Sequence, residues 1–192
     1  MPRAKLRTPA LKEQVLRAAV STLTGERSHF TTRRVARDAG TSPAAIYELF
    51  DDRGGLLRAV FFDGFRLLGS SFADVGATDD PVGDLRRMFR TFRAFARENP
   101  GLADLMFSRP FPDFQPGPEE AAAGTATRRA IVDCIQRCVA SGRLEGNATD
   151  IAHTFLGLAQ GLAQQESAGW LGSSAASTTR RWETAFGLLV GA

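Results

Sequence analysis

An all-α fold of about nine helices is predicted by three features of this chain. Apolar residues recur at steps of three and four, as one face of a helix requires, and no stretch shows the strict alternation of a half-buried strand. Start signals repeat, each a capping side chain followed by proline: Thr8-Pro9, Ser42-Pro43, Asp80-Pro81 and Asn99-Pro100. Glycine-bearing turns such as Ala39-Gly40 and SGRLEGN punctuate the segments between them.

The elements follow in order. Residues 1–8 form a basic arm with Arg3, Lys5 and Arg7, either simply disordered or reaching toward a nucleic-acid groove or backbone. A first long helix opens at Thr8-Pro9, carries the stripe Leu11, Val15, Leu16, Ala19, Val20 and Leu23, and ends at Gly25. Phe30 then closes a small core. In TTRRVARDAGTSPAAIYELF, residues 31–50, two short helices are joined by a tight turn. Thr31 or Thr32 caps the first, which sets Val35, Ala36 and Ala39 against Arg33, Arg34 and Arg37. Gly40 stops it, Ser42 caps the second, and Ile46 and Phe50 face inward. Two helices in this arrangement, with arginines outside, suit a helix-turn-helix docked on DNA phosphates; an ordinary helical hairpin with solvated arginines is the alternative.

Asp51 or Asp52 caps the next helix, from Arg53 to Phe72, with Leu56, Leu57, Val60, Phe61, Phe65 and Leu68 on its apolar side. Gly54 and Gly55 in its first turn each cost about 1 kcal/mol relative to alanine, and can leave that end compliant. A helix begun at Asp80 or Pro81 carries Leu85, Met88, Phe89, Phe92, Phe95 and Ala96, and a short one, GLADLMF, follows Asn99-Pro100. The segment from Pro110 to Pro118 has four prolines in nine residues, so it reads as a loop that packs through Phe111 and Phe114. Helix resumes from Glu119 to Ser141 and again to about Trp170 after a cap at Asn147 or Thr149. A small-residue linker over Gly172–Ser177 leads to a last helix, Thr178–Val190, with Trp182, Phe186, Leu189 and Val190 on one face.

Charge is placed unevenly along this order. Residues 1–50 hold nine Lys/Arg against four Asp/Glu, a net +5, while the whole chain is +3, so the remainder is close to −2. A basic head on a slightly acidic body points to a polyanion at the head. The expected organisation is a DNA-binding head at 1–52, a connecting helix at 53–72 and a ligand-binding and dimerisation body at 73–192.

Other classes lack support. The sequence has no GxSxG elbow, phosphate-binding loop or HExxH pair, so no catalytic residues and no cofactor are expected. His29 and His153 are far apart, and Cys134 and Cys138 are a lone i,i+4 thiol pair, so no metal site is expected. That pair reads as reduced, core-facing thiols, with a redox role as the alternative. No signal peptide or span of about 18 apolar residues is visible, which predicts a cytoplasmic protein without a membrane partner.

Residues 8–68 resemble the DNA-binding head of the tetracycline-repressor (TetR) family of bacterial regulators. The resemblance rests on Thr32, Val35-Ala36, Ala39-Gly40, Ser42, Tyr47 with Phe50, Arg53 and Leu56 at the family's spacing. The chain departs from the pattern at Leu49, often histidine, and at Arg53, usually lysine; Arg53 can still bond a phosphate, but Leu49 cannot supply a polar contact. The resemblance implies DNA contacts from Thr32, Arg33, Ser42, Ala44, Ala45, Tyr47 and Arg53. The two alanines would offer methyl contacts or close backbone approach, and phosphates would supply most of the affinity.

The body is similar to a subgroup with a tryptophan-x-x-x-histidine-glycine pattern on its penultimate helix. FLGLAQGLA is the corresponding run, with Phe155 for the tryptophan, Gln160 for the histidine and Gly161 retained. This implies a homodimer built by the last two helices, through Gly157, Gly161, Gln164, Trp182, Phe186 and Leu189, reading an inverted-repeat operator. It also implies a small-molecule effector in a mostly apolar pocket. Candidate walls are Phe92, Phe95, Leu102, Met106, Phe107, Phe111, Ile135 and Phe155, with Gln160, Gln164, Gln136 or Arg109 as polar handles. A repressor released by such a ligand is the expected function. The alternative is a regulator whose body binds a protein, with the Arg109–Pro118 loop as docking surface.

Overall fold

A computed structural model of the chain describes residues 8–23, 30–108, 111, 114 and 117–191. The arm with Arg3, Lys5 and Arg7, His29, and Arg109 with most of the proline-rich loop lie outside the described residues. The described residues form nine helices and no strand: α1 (Pro9–Leu23), α2 (Thr32–Asp38), α3 (Pro43–Phe50), α4 (Arg53–Ala73), α5 (Pro81–Glu98), α6 (Pro100–Phe107), α7 (Pro118–Ala140), α8 (Ala148–Ser167) and α9 (Ala175–Val190). No helix among them is long and apolar enough to cross a membrane.

The capping alternatives resolve. Thr31, in extended conformation, accepts the Arg34 N–H at 3.2 Å, and Ser42 accepts that of Ala45 at 3.2 Å. Asp52 caps α4 through the Gly55 N–H, Asp80 caps α5 through that of Gly83, and Asn147 takes those of Thr149 and Asp150. Asn99 differs from expectation. It holds the N-cap position with ψ 57°, outside the extended conformation that aims a capping side chain, and makes no capping bond. The linker expected over Gly172–Ser177 is shorter than predicted, because Ser174 and Ser177 close a reciprocal capping box that starts α9 three residues early.

The chain forms two compact units, 1–66 with 99–122, and 67–98 with 123–192; α4 belongs to the first up to Arg66 and to the second from Leu67. In the first unit α1, α2 and α3 enclose Val15, Ala19, Phe30, Val35, Ala36, Ile46 and Phe50, and α6 packs on α1. Glycines permit two close approaches there: a Cβ on Gly101 would lie 1.8 Å from the Leu23 carbonyl oxygen, and one on Gly64 would lie 2.6 Å from Met106 Sδ.

The turn between α3 and α4 is tighter still. Asp51 has φ 66° and ψ −55°, and the Asp52 N–H bonds the Phe50 carbonyl at 2.8 Å, the rarer and more strained form of γ-turn. A Cβ on Gly55 would fall 1.9 Å from that same carbonyl oxygen. Gly55 is therefore a steric necessity of the turn, a role not read from the sequence.

The second unit centres on Phe89, whose ring meets those of Phe155, Trp182 and Phe186 at centroid distances of 5.2, 5.0 and 5.6 Å. Charged stitches hold the helices around this cluster. Arg93 of α5 forks onto Glu166 of α8 with two 2.9 Å bonds, and Trp182 Nε1–H of α9 donates to the same carboxylate at 2.7 Å. Burial would raise the Glu166 pKa, but these donors hold it below the ordinary range. Cys134 and Cys138 are buried free thiols; burial, with each other's proximity, pushes Cys134 up to about 12, so its reactive thiolate is suppressed.

Asp84 is the buried charge of this unit. It accepts the Thr78 N–H at 2.8 Å and hydroxyl at 2.7 Å and pairs with Arg87 and Arg137. Burial alone would raise its pKa; the Thr78 and Arg137 bonds overcome this and lower it to about 2. Its stabilising contribution is complete above the ordinary carboxylate range and is lost as pH falls through about 2. Acid titration of the unfolding free energy should therefore show a decline between about pH 4 and pH 2 that Asp84→Asn flattens, and at neutral pH this variant should be about 2–4 kcal/mol less stable.

Candidate nucleic-acid interface

Helices α2 and α3 present one exposed face. Val35, Ala36, Ala39, Ala45 and Ile46 point into the core, whereas Arg33, Ser42, Pro43, Ala44 and Tyr47 point out. Gly40, at φ 60°, turns the chain between them in a conformation that favours glycine. The three arginines of α2 differ in their partners. Arg34 and Arg37 both pair with Asp38, at 3.6 and 3.1 Å, whereas Arg33 makes no ion pair among the described residues. Tyr47 is 47% exposed, and its hydroxyl lies 3.3 Å from that of the buried Thr32, tying α3 to the first turn of α2. Arg53, half-buried at the start of α4, lies over the rings of Phe30 and Phe111, 5.5 and 5.0 Å from their centroids.

This face combines a cation, hydroxyls and a short-side-chained helix start, which is what close approach to a phosphate backbone and a groove requires. Among the described residues, no group of three or more His, Cys, Asp or Glu is placed to hold a metal ion. Residues 85–189, more than half of the chain, match the family model described as the tetracyclin repressor-like C-terminal domain. The chain belongs to the TetR family.

Among curated relatives, the HTH-type transcriptional regulator Rv1816 of Mycobacterium tuberculosis is 31% identical over 119 residues, 57% of this chain and 49% of that protein. The chain thus spans about half the length of the curated relatives it matches. A protein of unknown function from Rhodococcus sp. RHA1 shares the fold with a TM-score of 0.78 at 24% identity, over 98% of this chain and 100% of that one. AibR, solved in complex with isovaleryl coenzyme A and operator DNA, shares it with a TM-score of 0.71 at 14% identity, over 94% of this chain and 98% of that one.

Within this TetR fold the sequence-predicted residues fall into distinct places. Arg33, Ser42, Ala44 and Tyr47 are exposed together on the α2–α3 face. Thr32 is buried, and Ala45 is fully buried against the head core, so its methyl is not offered outward. Of the residues expected to line an effector pocket, Phe92, Phe95, Ile135, Phe155 and Gln160 belong to the second unit. Leu102, Met106, Phe107 and Phe111 belong to the first, where Leu102 and Met106 pack on Gly64 and Phe111 on Phe30. Neither unit brings all nine together. Phe111 and Phe114 are buried, so the proline-rich loop does not display them as a docking surface.

Two further readings change. Trp182 and Phe186, expected at the dimer surface, are core residues on Phe89, because their side of α9 faces α5 and α8. Counted along the chain, four residues before Gln160 is Leu156, so the tryptophan position of the subgroup pattern falls there; Phe155 points into the core. The contact of Arg53 with two phenylalanine rings was missed from sequence, since one of them lies far along the chain.

Ser42 sets the start of α3 through its bond to the Ala45 N–H. Ser42→Ala should cost about 1 kcal/mol of stability, seen in urea unfolding, and should weaken DNA binding in a titration by more than the loss of one hydroxyl contact alone.

Proposed function

We propose that the chain is a transcriptional repressor in which α3 enters the major groove of an operator and a small molecule releases it. The carrying observation is the exposed α2–α3 face, with Arg33 unpaired among the described residues and Tyr47 held by Thr32 beside it. Arg33, Arg53 and Tyr47 would contact phosphates, Ser42 would contact phosphate or base edge, and Ala44 would allow close approach. Thr32 acts through Tyr47. Such a regulator works in the bacterial cytoplasm, and no catalytic chemistry is assigned to it.

One reading helix covers too few bases for specificity, so the active species is a homodimer on an inverted repeat. Support for its surface comes from α8 and α9. A Cβ on Gly157 or Gly161 would meet nothing within 4 Å, so packing within the chain does not demand these helix glycines. Each costs about 1 kcal/mol relative to alanine, which close approach of a second copy would offset. Gln164 continues the same face, and Leu188 beside Leu189 is 78% exposed. Trp170, just after α8, is another exposed large apolar residue, at 83%.

The effector is proposed to be mostly apolar, with an acyl chain as the first class to test, because AibR was solved with isovaleryl coenzyme A. Phe92, Phe95, Ile135 and Phe155, all buried in the second unit, would supply apolar walls, and half-buried Gln160 a polar handle. Helix α4, continuous through both units, would carry the signal. Acyl-CoAs of graded chain length should be screened by thermal shift: an inducer raises the melting temperature and lowers operator affinity by about 5- to 150-fold. A ligand that stabilises the protein and leaves operator affinity unchanged is not the effector.

Arg33→Ala should weaken binding to all duplexes alike and reduce the salt slope by about one phosphate; a change of preferred base would refute the phosphate contact. Gly161→Leu should raise the dimer dissociation constant in sedimentation, and a variant that sediments as an unperturbed dimer would remove α8 from the interface.

A further inference from the structure

Arg53 and Phe111 are far apart in sequence: Arg53 opens α4, directly after the helix-turn-helix, and Phe111 lies well beyond it. Phe111 follows α6, in the segment leading to α7. Its ring is buried against that of Phe30, with centroids 5.6 Å apart and planes inclined by 50°. The Arg53 guanidinium lies 5.5 Å from one centroid and 5.0 Å from the other, so the three groups form a nearly equilateral triangle. The same segment is fastened beside this point along α4. Phe114 meets Phe61 at 5.5 Å, and the buried Glu120, which accepts the Gly117 N–H at 2.7 Å, pairs with Arg58 at 2.8 Å. Phe111 is thus fixed by its neighbours and not by Arg53 alone.

We propose that Phe111 is a positioning residue for DNA binding: together with Phe30 it holds the Arg53 guanidinium where it meets a phosphate. This rests on the reading of Arg53 as a phosphate contact given above. The chemistry suits the task. A ring face attracts a cation through its quadrupole and needs none of the guanidinium's N–H donors as conventional hydrogen bonds, so one group can meet a ring and a phosphate together. An arginine side chain otherwise has many rotamers, and confining it beforehand lowers the ordering cost at the moment of binding. The consequence is that affinity for DNA depends on a residue outside the helix-turn-helix, in the segment between α6 and α7.

The test is a double-mutant cycle on the full chain, titrated with a mixed-sequence DNA duplex at low salt. Phe111→Leu should weaken binding about two- to fivefold and lower the salt slope toward that of Arg53→Ala. In the Arg53→Ala background it should add nothing further, and Phe111→Tyr should bind like the parent. Because Phe111→Leu can disturb packing, a second variant carries pentafluorophenylalanine at 111, which keeps the ring's shape and reverses its quadrupole. It too should bind about twofold or more weakly while melting like the parent. Equal losses from Phe111→Leu in both backgrounds, or parental affinity for the fluorinated protein, would overturn the positioning role and leave the Arg53 contact standing. Parental affinity and salt slope in Arg53→Ala itself would overturn the phosphate contact and the proposal with it.

Discussion

A single carbonyl group fixes how the end of α3 meets the start of α4. The Phe50 oxygen accepts the Asp52 N–H across the γ-turn at Asp51 and leaves no room for a Cβ on Gly55. A positive φ at a non-glycine residue is costly, and it persists only where the surroundings over-determine it. Here they do: Phe50 is buried on one side of the turn, Leu56 and Leu57 on the other, and the Asp52 carboxylate closes on Gly55. The angle at which α3 leaves the core is therefore set by backbone contact, which side-chain motion cannot relax. Every exposed group on α3, from Ala44 to Tyr47, takes its position from that junction.

The second unit is held by a different economy. Its aromatic cluster around Phe89 supplies burial without direction, and the charged stitches supply direction. Glu166 collects Arg93, Arg97 and the Trp182 indole, while Glu183 takes Arg86 and Arg90. The exposed members of these sets contribute little individually, whereas the forked Arg93–Glu166 pair, with both side chains mostly buried, depends on its geometry. Asp84 does the same for the loop before α5, converting the cost of burying a carboxylate into a fixed arrangement of Thr78, Arg87 and Arg137.

Local signals were legible wherever their cause was local. Ser42, Thr31 and Asn147 cap because a side-chain oxygen reaches N–H groups two or three residues away, and that can be seen in a short string. Gly40 stops α2 for the same kind of reason. Errors arose where two residues of one helix compete for one direction. Ala44 and Ala45 look alike in sequence, but the helix turns one outward and the other onto the core. Trp182 and Phe186 share an apolar stripe with Leu189, and a stripe does not say whether its partner is a helix of the same chain or of another.

By itself, then, the sequence determined helix number, the start of most helices, the exposed arginines of α2 and the family-like spacing from Thr32 to Leu56, because each depends on a side chain and its near neighbours along the chain. Tertiary structure alone decided which residues meet across long separations: Phe111 beside Arg53, Glu120 beside Arg58, Gly101 under Leu23, Trp182 on Glu166. The physical reason is that periodicity fixes a residue's angle around its own helix but leaves open which other helix lies along that direction. Close approach and charge pairing select the partner, and they exist only once the helices have packed.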